Sequence, residues 1–342
     1  MKAAFVTNPS EITVKDTDSP DLAPGGVLVQ MNACGICGSD IEKVFGRYGK
    51  PSMRLGHEPA GTIIRTGSDV SEFKAGDRVF THHHVPCYSC HYCRRGDETM
   101  CPKYSETNLS PCGLAQEYVV PPWNVSHGGI LKLPESMSFD EAAMIEPLAC
   151  CIRCWNKSSF HKGDSVAIFG VGPTGMMHLM LAQNYGLEKI FCLDVNEFRL
   201  KFAEEFNITA SINATDPDRK KKILSQTSDR GVDIAIVATG SLDAFKDAIT
   251  LVRKGGTVAM FGVPSKDATT HLDMGLVYSK EVTIITSYAA SDSDTKEALD
   301  LIHTKKIDAG RLITHKYPLS DSQKAFDHAR NGTDAMKIII TR

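Results

Sequence analysis

A thiol, an imidazole and a carboxylate carry the clearest chemistry in this sequence. Cys37 and His57 lie about twenty residues apart, and Glu58 directly follows His57. Zinc binds soft sulfur and borderline nitrogen well, and a catalytic zinc keeps one coordination position open for water or substrate. Asp40 is placed to orient a ligand imidazole through its second N–H, and Ser39 to hydrogen-bond an oxygen on the metal. We therefore predict a catalytic zinc site; the alternative is that Cys37 and His57 are ordinary half-buried residues.

A second set of possible ligands consists only of cysteines, and these are Cys87, Cys90, Cys93 and Cys101. Four thiolates at this spacing can surround one zinc ion tetrahedrally and leave no open position, so the predicted site is structural. A [4Fe–4S] cluster uses the same ligand type and is the alternative. Zinc is favoured because the chain has no second cluster motif. The prediction is thus two zinc ions per chain.

Three consecutive histidines, residues 82–84, precede these cysteines. Adjacent residues of a strand point to opposite faces, so three consecutive imidazoles in a strand do not easily share one ion. A further metal site here is the alternative.

Downstream, Ser138 and Glu141 form a capping box that opens an apolar helix. That helix carries Glu146, a carboxylate among apolar residues that has a reason to be there if it faces a cation.

Length and composition limit the number of domains, the kinds of partner and the cellular compartment. The 342 residues suit two domains rather than one core, and 42% hydrophobic with 23% charged residues is ordinary for a soluble globular protein. A net charge of −3 gives no basic field, so we predict no nucleic-acid or membrane partner. Eleven cysteines, an odd and clustered number, favour metal binding in a reducing compartment, which we expect to be the cytoplasm.

A dinucleotide-binding pattern begins after residue 164. The apolar run Ser165–Phe169 predicts a buried parallel strand, and a second predicted strand closes on Asp194. Between them lies a glycine-rich loop that opens a helix, with candidate cofactor residues Gly170, Gly172, Pro173, Thr174 and Gly175. Asp194 is placed to accept hydrogen bonds from the adenosine ribose, which favours NAD over NADP. The alternative is that Asp194 only caps the following helix.

The β-α alternation then continues and predicts a doubly wound parallel sheet. Further predicted strands end at Thr239 and Gly262, and we expect Thr239, Gly262 and Val263 to contact the cofactor. Residues 1–135 instead have a β-rich pattern. After about residue 288 the sequence no longer alternates between strand and helix patterns. We predict a catalytic domain of residues 1–155 and 289–342, with a nucleotide-binding domain of residues 156–288 inserted into it.

Taken together, these motifs resemble those of the zinc-dependent medium-chain dehydrogenases, most closely the sorbitol (polyol) and threonine dehydrogenase branch. The resemblance covers the whole chain and rests on motifs in the family's order: residues 37–40, 56–58, 87–101, 146–148 and 170–175 with Asp194. It implies an α/β fold, with a β-rich GroES-like catalytic domain and an inserted Rossmann domain. It also implies an active site in the cleft between the domains.

The same resemblance implies roles for individual residues. Catalytic zinc would bind Cys37 and His57, with Glu58 and Glu146 as direct or water-bridged ligands. Ser39 would begin a proton relay. NAD would be held by the glycine loop together with two more residues, Asp194 and Arg199. Subunits of such enzymes usually pair through the edge strand near residues 282–286, which implies a homodimer or homotetramer.

Departures from the family's pattern concern the substrate. Many relatives have a histidine where this chain has Glu42, and sorbitol dehydrogenases have a tyrosine and an arginine where it has Lys43 and Ser287. Lys43 is either a surface lysine or a partner for an anionic substrate group. The predicted function is zinc-dependent hydride transfer between a secondary alcohol (a polyol, sugar or sugar-derived alcohol) and NAD. The alternatives are a threonine or amino-alcohol dehydrogenase and a non-catalytic sensor that binds NAD and zinc.

Overall fold

The computed structural model describes residues 1–46 and 55–342. The chain forms two compact units, one of Met1–Ala149 with Ala289–Arg342 and one of Cys150–Tyr288. The first junction lies six residues before the predicted one, near the middle of a helix, because the apolar helix pattern gave no sign of where the unit changes. The segment from Ala289 onward belongs to the first unit. No helix among the described residues is long and apolar enough to cross a membrane.

The first unit is built on a mainly antiparallel sheet. Its strands are β1 (Lys2–Asn8), β2 (Glu11–Asp16), β3 (Val27–Gly35), β4 (Pro59–Thr66), β5 (Arg78–Thr81), β6 (Glu117–Val120) and β7 (Ile130–Lys132), and late in the chain β14 (Ile313–Pro318) and β15 (Lys337–Thr341). Within the described residues the main sheet has the order β14-β15-β3-β4-β5-β7, with β6 also paired to β3, whereas β1 and β2 form a separate hairpin. The central strand β3 alternates as predicted, with Val27, Val29, Met31 and Ala33 all fully buried.

Helices in this unit are short and lie around the sheet. They are α1 (Gly38–Phe45), α2 (Pro122–Ser126), α3 (Phe139–Ala142), α4 (Ile145–Asn156, which continues into the second unit), α10 (Asp292–His303) and α11 (Ser322–Asn331). The predicted capping box is present at α3, where Ser138 and Glu141 satisfy each other's backbone N–H groups. The helix that it opens ends at Ala142, however, so the prediction that the same helix carries Glu146 was wrong: Glu146 lies in α4. Shorter 3₁₀ turns cover Cys93–Arg95, Glu98–Met100, Tyr104–Glu106, Ala309–Leu312 and Leu319–Asp321.

The second unit is a parallel sheet whose strands alternate with helices. In chain order its elements are β8 (Ser165–Phe169), α5 (Pro173–Asn184), β9 (Lys189–Asp194), α6 (Glu197–Glu204), β10 (Ala210–Asn213), α7 (Arg219–Gln226), β11 (Val232–Val237), α8 (Leu242–Leu251), β12 (Val252–Met260), α9 (Met274–Ser279) and β13 (Thr283–Thr286). The strand order is β10-β9-β8-β11-β12-β13, with every neighbouring pair parallel. This confirms the predicted doubly wound fold.

The position of each strand in the sheet explains why β8 and β11 were predicted from the sequence and β10 was not. β8 and β11 are central and almost wholly buried, so they appear in the sequence as mainly apolar runs, interrupted in β11 by Asp233. β10 lies at the edge, is only partly buried and was not predicted. The order of strands reverses between β8 and β11, and in such sheets the ligand binds beyond the carboxyl ends of the strands at this point.

Candidate functional site

The three predicted zinc ligands lie together in the first unit. One ligand atom from each of Cys37, His57 and Glu58 lies within 4.8 Å of the others. The sheet brings this about, because the end of β3 pairs with the start of β4, with Cys34 opposite Pro59. Cys37 follows β3 immediately before α1, and His57 and Glu58 immediately precede β4.

Asp40 fixes the imidazole of His57. Asp40 is fully buried, and its Oδ2 lies 3.1 Å from His57 Nδ1 and accepts a hydrogen bond of 3.0 Å from the backbone N–H of Gly56. Lys43 Nζ lies 2.8 Å from the other carboxylate oxygen. Burial alone would raise the pKa of Asp40, but His57 and Lys43 outweigh it and hold this pKa well below its usual value. With Nδ1 facing Asp40, Nε2 of His57 remains for a metal.

Glu58 is paired on one oxygen only. Its Oε2 lies 2.5 Å from Lys337 Nζ, which also donates to the carbonyl of Ile36 at 3.0 Å. Its Oε1 is buried and has no hydrogen-bond partner among the described residues. A buried carboxylate oxygen without a partner is costly, and here it lies beside a thiol and an imidazole. The three residues therefore fit a bound zinc ion.

Lys337 is a site residue that the sequence analysis missed. It lies at the start of β15 and is only 2% exposed. Burial lowers the pKa of Lys337, but the carboxylate of Glu58 and the sulfur of Cys37 outweigh that effect and raise this pKa above its usual value. A single charged residue opening the apolar strand Lys337–Thr341 was the available signal.

Ser39 lies beside its predicted neighbour Cys37, whereas Glu146 is grouped with two histidines rather than with the other three predicted zinc ligands. Ser39 Oγ donates to Cys37 Sγ at 3.4 Å, next to the candidate metal position. Glu146, in α4, is 5% exposed and has a carboxylate oxygen within 4.8 Å of imidazole nitrogens of His82 and His83. His82 and His83 can both approach Glu146 because β5 ends at Thr81 and the chain bends at His83, so the alternation of a strand does not apply to them; His84 is not part of this group.

The four cysteines of the predicted structural site also converge. All four sulfurs lie within 4.8 Å of one another, with Cys90–Cys93 and Cys87–Cys101 separations of 3.5 Å. Sulfurs at about 2.3 Å from one tetrahedral zinc ion are about 3.8 Å apart, so a small adjustment accommodates the ion. Hydrogen bonds from Ser89 lower the pKa of Cys87 to about 6, whereas burial and the neighbouring cysteines raise the pKa of Cys93 to about 12, so the convergence of the four sulfurs is the observation that indicates a metal site. The cluster fits a structural zinc ion.

A cavity of about 520 Å³ lies at the carboxyl ends of strands in the second unit. It brings together seven of the predicted cofactor residues: Gly170, Gly172, Pro173, Thr174, Asp194, Arg199 and Thr239. The other three do not line it. Gly175 packs against β8, where a Cβ would stand 1.9 Å from the carbonyl oxygen of Gly170. Gly262 packs against Thr239, and Val263 is largely exposed.

Asp194 stabilises the glycine loop. Its two carboxylate oxygens accept hydrogen bonds from the backbone N–H groups of Val171 at 2.8 Å and Asn196 at 2.9 Å. The helix α6 is capped by Asn196, whose side chain accepts from the N–H of Arg199, so the alternative that Asp194 caps this helix is wrong. A carboxylate offers about four lone-pair positions, which leaves capacity for a ribose.

Comparison with known proteins agrees with this geometry. Residues 23–135 match the alcohol dehydrogenase GroES-like domain, and residues 173–304 match the zinc-binding dehydrogenase family. A sorbitol dehydrogenase of Bacillus subtilis (strain 168) is 32% identical, covering 99% of this chain and 97% of the relative. The chain belongs to the zinc-dependent medium-chain dehydrogenase family.

Two further comparisons extend over almost the whole chain of this dehydrogenase. D-xylulose reductase A of Aspergillus niger is 30% identical, covering 96% of this chain and 93% of the relative. An alcohol dehydrogenase of Thermus sp. ATN1 has a similar structure, with a TM-score of 0.89, 27% identity and coverage of 100% and 99%. As a member of this family, the protein is an oxidoreductase that uses zinc and a nicotinamide cofactor.

Substitutions at two glycines of the loop should distinguish an effect on protein stability from an effect on cofactor binding. We expect Gly175→Ala to lower the free energy of unfolding by about 1–3 kcal/mol and the melting temperature by several degrees, because the new methyl overlaps the Gly170 carbonyl. Gly172→Ala is the matched control, since its Cβ meets nothing nearer than Arg199 at 3.4 Å. That variant should keep its melting temperature but bind NADH about tenfold more weakly, because the methyl would narrow the loop that we predict to bind the pyrophosphate. Calorimetry and fluorescence titration measure the two effects; equal melting temperatures for the two variants would contradict this assignment.

The four-cysteine site should determine whether the first unit folds. Structural zinc contributes about 10–16 kcal/mol in small zinc-finger peptides, comparable to the whole stability of a domain. We expect Cys93→Ser to lose one zinc ion per chain and to lower the melting temperature by more than about 10 °C. Cys150→Ser, a partly exposed cysteine outside the cluster, is the control. A Cys93→Ser protein with wild-type metal content and stability would show that the cluster is not a zinc site.

Proposed function

We propose that this dehydrogenase oxidises a secondary alcohol of a polyol, sugar or sugar-derived alcohol and transfers the hydride to NAD. The catalytic zinc ion would be held by Cys37, His57 and Glu58, with Glu146 as a further direct or water-bridged ligand. The observation that carries the proposal is the buried, unpartnered Oε1 of Glu58 beside the thiol and the imidazole. The polyol class is supported by the names of the sorbitol and xylulose relatives.

Each residue around this position has a distinct task. When bound, zinc supplies Lewis acidity that lowers the pKa of the substrate hydroxyl. Asp40 holds His57 in the tautomer that presents Nε2, and Lys337 balances the charge of Glu58. Ser39 Oγ, next to Cys37, accepts the hydroxyl proton and passes it outward. A bound nicotinamide would supply the hydride acceptor, which is the cofactor's own chemistry.

The second zinc ion would be structural and bound by the four cysteines Cys87, Cys90, Cys93 and Cys101. None of the eleven cysteines forms a disulfide within the described residues. This supports a reducing environment, and we place the protein in the cytoplasm.

Removing the catalytic ligand Cys37 tests the proposed reaction. With NAD and a panel of polyols, sugars and threonine, we expect the wild-type protein to produce NADH fastest from a polyol or sugar alcohol. Cys37→Ala should lose about 10³-fold or more in kcat/KM and one zinc ion per chain, because Lewis-acid catalysis is worth several kcal/mol.

The control is Cys154→Ala, a buried cysteine outside the proposed metal sites, which should keep both its zinc and its turnover. Fastest turnover with threonine would favour the alternative function, a threonine or amino-alcohol dehydrogenase. No turnover with any substrate of the panel would favour a non-catalytic sensor. Wild-type turnover in Cys37→Ala after loss of the metal would contradict the catalytic assignment.

The cofactor preference depends on Asp194, which lines the cavity and is 6% exposed. A 2′-phosphate placed beside this carboxylate would meet a like charge in a partly dry site, at a cost of several kcal/mol. Arg199 also lines the cavity and could favour the phosphate. Because Asp194 is nearer the strand end, we propose NAD.

We expect wild-type kcat/KM to be about a hundredfold higher with NAD than with NADP, a difference of about 2.7 kcal/mol. Asp194→Asn keeps an acceptor but removes the charge, so it should reduce the preference by about tenfold. Steady-state kinetics with both cofactors measure this. A wild-type preference for NADP, or an unchanged ratio in Asp194→Asn, would contradict the role given to this carboxylate.

We also propose that the protein forms a homodimer or homotetramer through the edge strand β13. This strand is largely exposed, with Ile284 38% exposed, and Tyr278 and Tyr288 nearby are exposed as well. An exposed edge strand with apolar side chains can pair with another copy of itself.

Ile284→Asp should convert the oligomer to monomers, because it introduces a buried charge into the proposed interface. Light scattering coupled to size-exclusion chromatography measures the mass. The control is Ile64→Asp, which changes an isoleucine of 36% exposure in the first unit and should leave the mass unchanged. A monomeric wild type, or an oligomer that survives Ile284→Asp, would contradict this interface.

A further inference from the structure

Two buried imidazoles next to the proposed catalytic site have nitrogens without partners. These are Nε2 of His82 and Nδ1 of His83, and neither has a hydrogen-bond partner among the described residues. His82 is 1% exposed and His83 is 9% exposed. Both rings also lie near Glu146, with ligand atoms of the three residues within 4.8 Å of one another. Leaving two buried nitrogens unsatisfied is costly unless each binds a partner.

His82 is held in the way a metal-binding histidine is held. Its Nδ1 lies 3.1 Å from Oδ1 of Asp292, a buried residue at the start of α10, and Tyr88 donates its hydroxyl to the other oxygen of that carboxylate. His57 lies at the same 3.1 Å from Asp40. In both cases a carboxylate on Nδ1 fixes the ring and leaves Nε2 for a metal.

His83 lies between the two sites. Its ring centroid is 5.0 Å from that of His57 and 5.5 Å from that of His82. The third histidine of the run, His84, differs, because its Nδ1 lies 2.7 Å from the carbonyl oxygen of Thr107. The structure thus separates two histidines with an unpartnered buried nitrogen from one whose ring is anchored to the backbone.

We propose that His82, His83 and Glu146 form a binding site for a second divalent transition-metal ion, adjacent to the catalytic zinc ion. Imidazole with a carboxylate suits Zn²⁺, Co²⁺ and Fe²⁺, and three protein ligands leave positions open for water or a substrate oxygen. Ligand atoms at 2.0–2.2 Å from one ion are at most about 4.4 Å apart, so small side-chain rotations close the site. Glu146 can serve both ions, since a carboxylate has two oxygens.

The charges around the cluster allow a second cation. Glu146 contributes a carboxylate directly, and Asp292 contributes another through His82. Repulsion between two divalent ions is thereby offset by two negative groups, in addition to Cys37 and Glu58 at the first site. The competing explanation is that ordered water, rather than a metal ion, hydrogen-bonds to these nitrogens.

Metal content tests this site without reference to activity. The purified protein is incubated with excess Zn²⁺, dialysed and analysed by mass spectrometry of the metals. We expect three zinc ions per chain in the wild type, two in His82→Asn and in His83→Asn, and three in the matched control His84→Asn. Two zinc ions in the wild type, or three in both His82→Asn and His83→Asn, would overturn the proposal.

Cobalt titration keeps the proposal testable if the variants fold poorly. In the wild-type protein, Co²⁺ at the Cys37 site and at the four-cysteine site produces sulfur-to-cobalt charge-transfer absorption, because thiolates bind there. We expect one further equivalent of Co²⁺ to bind with d–d absorption alone, as nitrogen and oxygen ligands require. Saturation without such an equivalent would overturn the site. It would leave the proposed alcohol oxidation intact, since that reaction rests on the Cys37 site.

Discussion

The candidate active site depends on one buried carboxylate. Asp40 is fully inaccessible, and its charge is stabilised by three groups: the backbone N–H of Gly56, the imidazole of His57 and the ammonium group of Lys43. A buried carboxylate without such partners would be protonated or would destabilise the fold by several kcal/mol. The same contacts that stabilise the charge also join α1 to the segment before β4 and set the orientation of His57, the proposed zinc ligand. Stability and site geometry are therefore determined by the same interaction.

Glu58 is a second buried carboxylate whose charge is stabilised by a partner, and this partner lies near the end of the chain. Its partner Lys337 comes from β15, which pairs with β3 beside the proposed metal ligands. The first unit therefore needs the segment after Ala289 for a site residue as well as for its sheet. Asp292, behind His82, comes from the same returning segment. The second unit lies in sequence between Met1–Ala149 and Ala289–Arg342. Its β-α repeat forms a separate sheet, so the pairing of β15 with β3 in the first unit does not depend on it.

The sequence predicted what depends on local spacing. The ligands Cys37 and His57, the four cysteines and the glycine loop are recognisable because a short stretch of chain must present those residue types in that order. Lys337 and Asp292 were missed because their partners lie more than two hundred residues away, and such pairings depend on tertiary structure. The edge strand β10 was missed because half-buried residues give no apolar run. The approach of His82 and His83 to Glu146 was missed because strand geometry was applied to residues that follow β5, where the chain bends at His83.

The most direct test of the account is a crystallographic anomalous-difference map of the native protein at the zinc absorption edge. The account predicts a peak about 2.3 Å from Cys37 Sγ and about 2.0–2.1 Å from a nitrogen of His57, with Asp40 still on the opposite nitrogen of that ring. It predicts another peak surrounded by the four cysteines. A full peak at the cysteines with none between Cys37 and His57 would contradict the claim that these residues, with Glu58, hold the catalytic zinc.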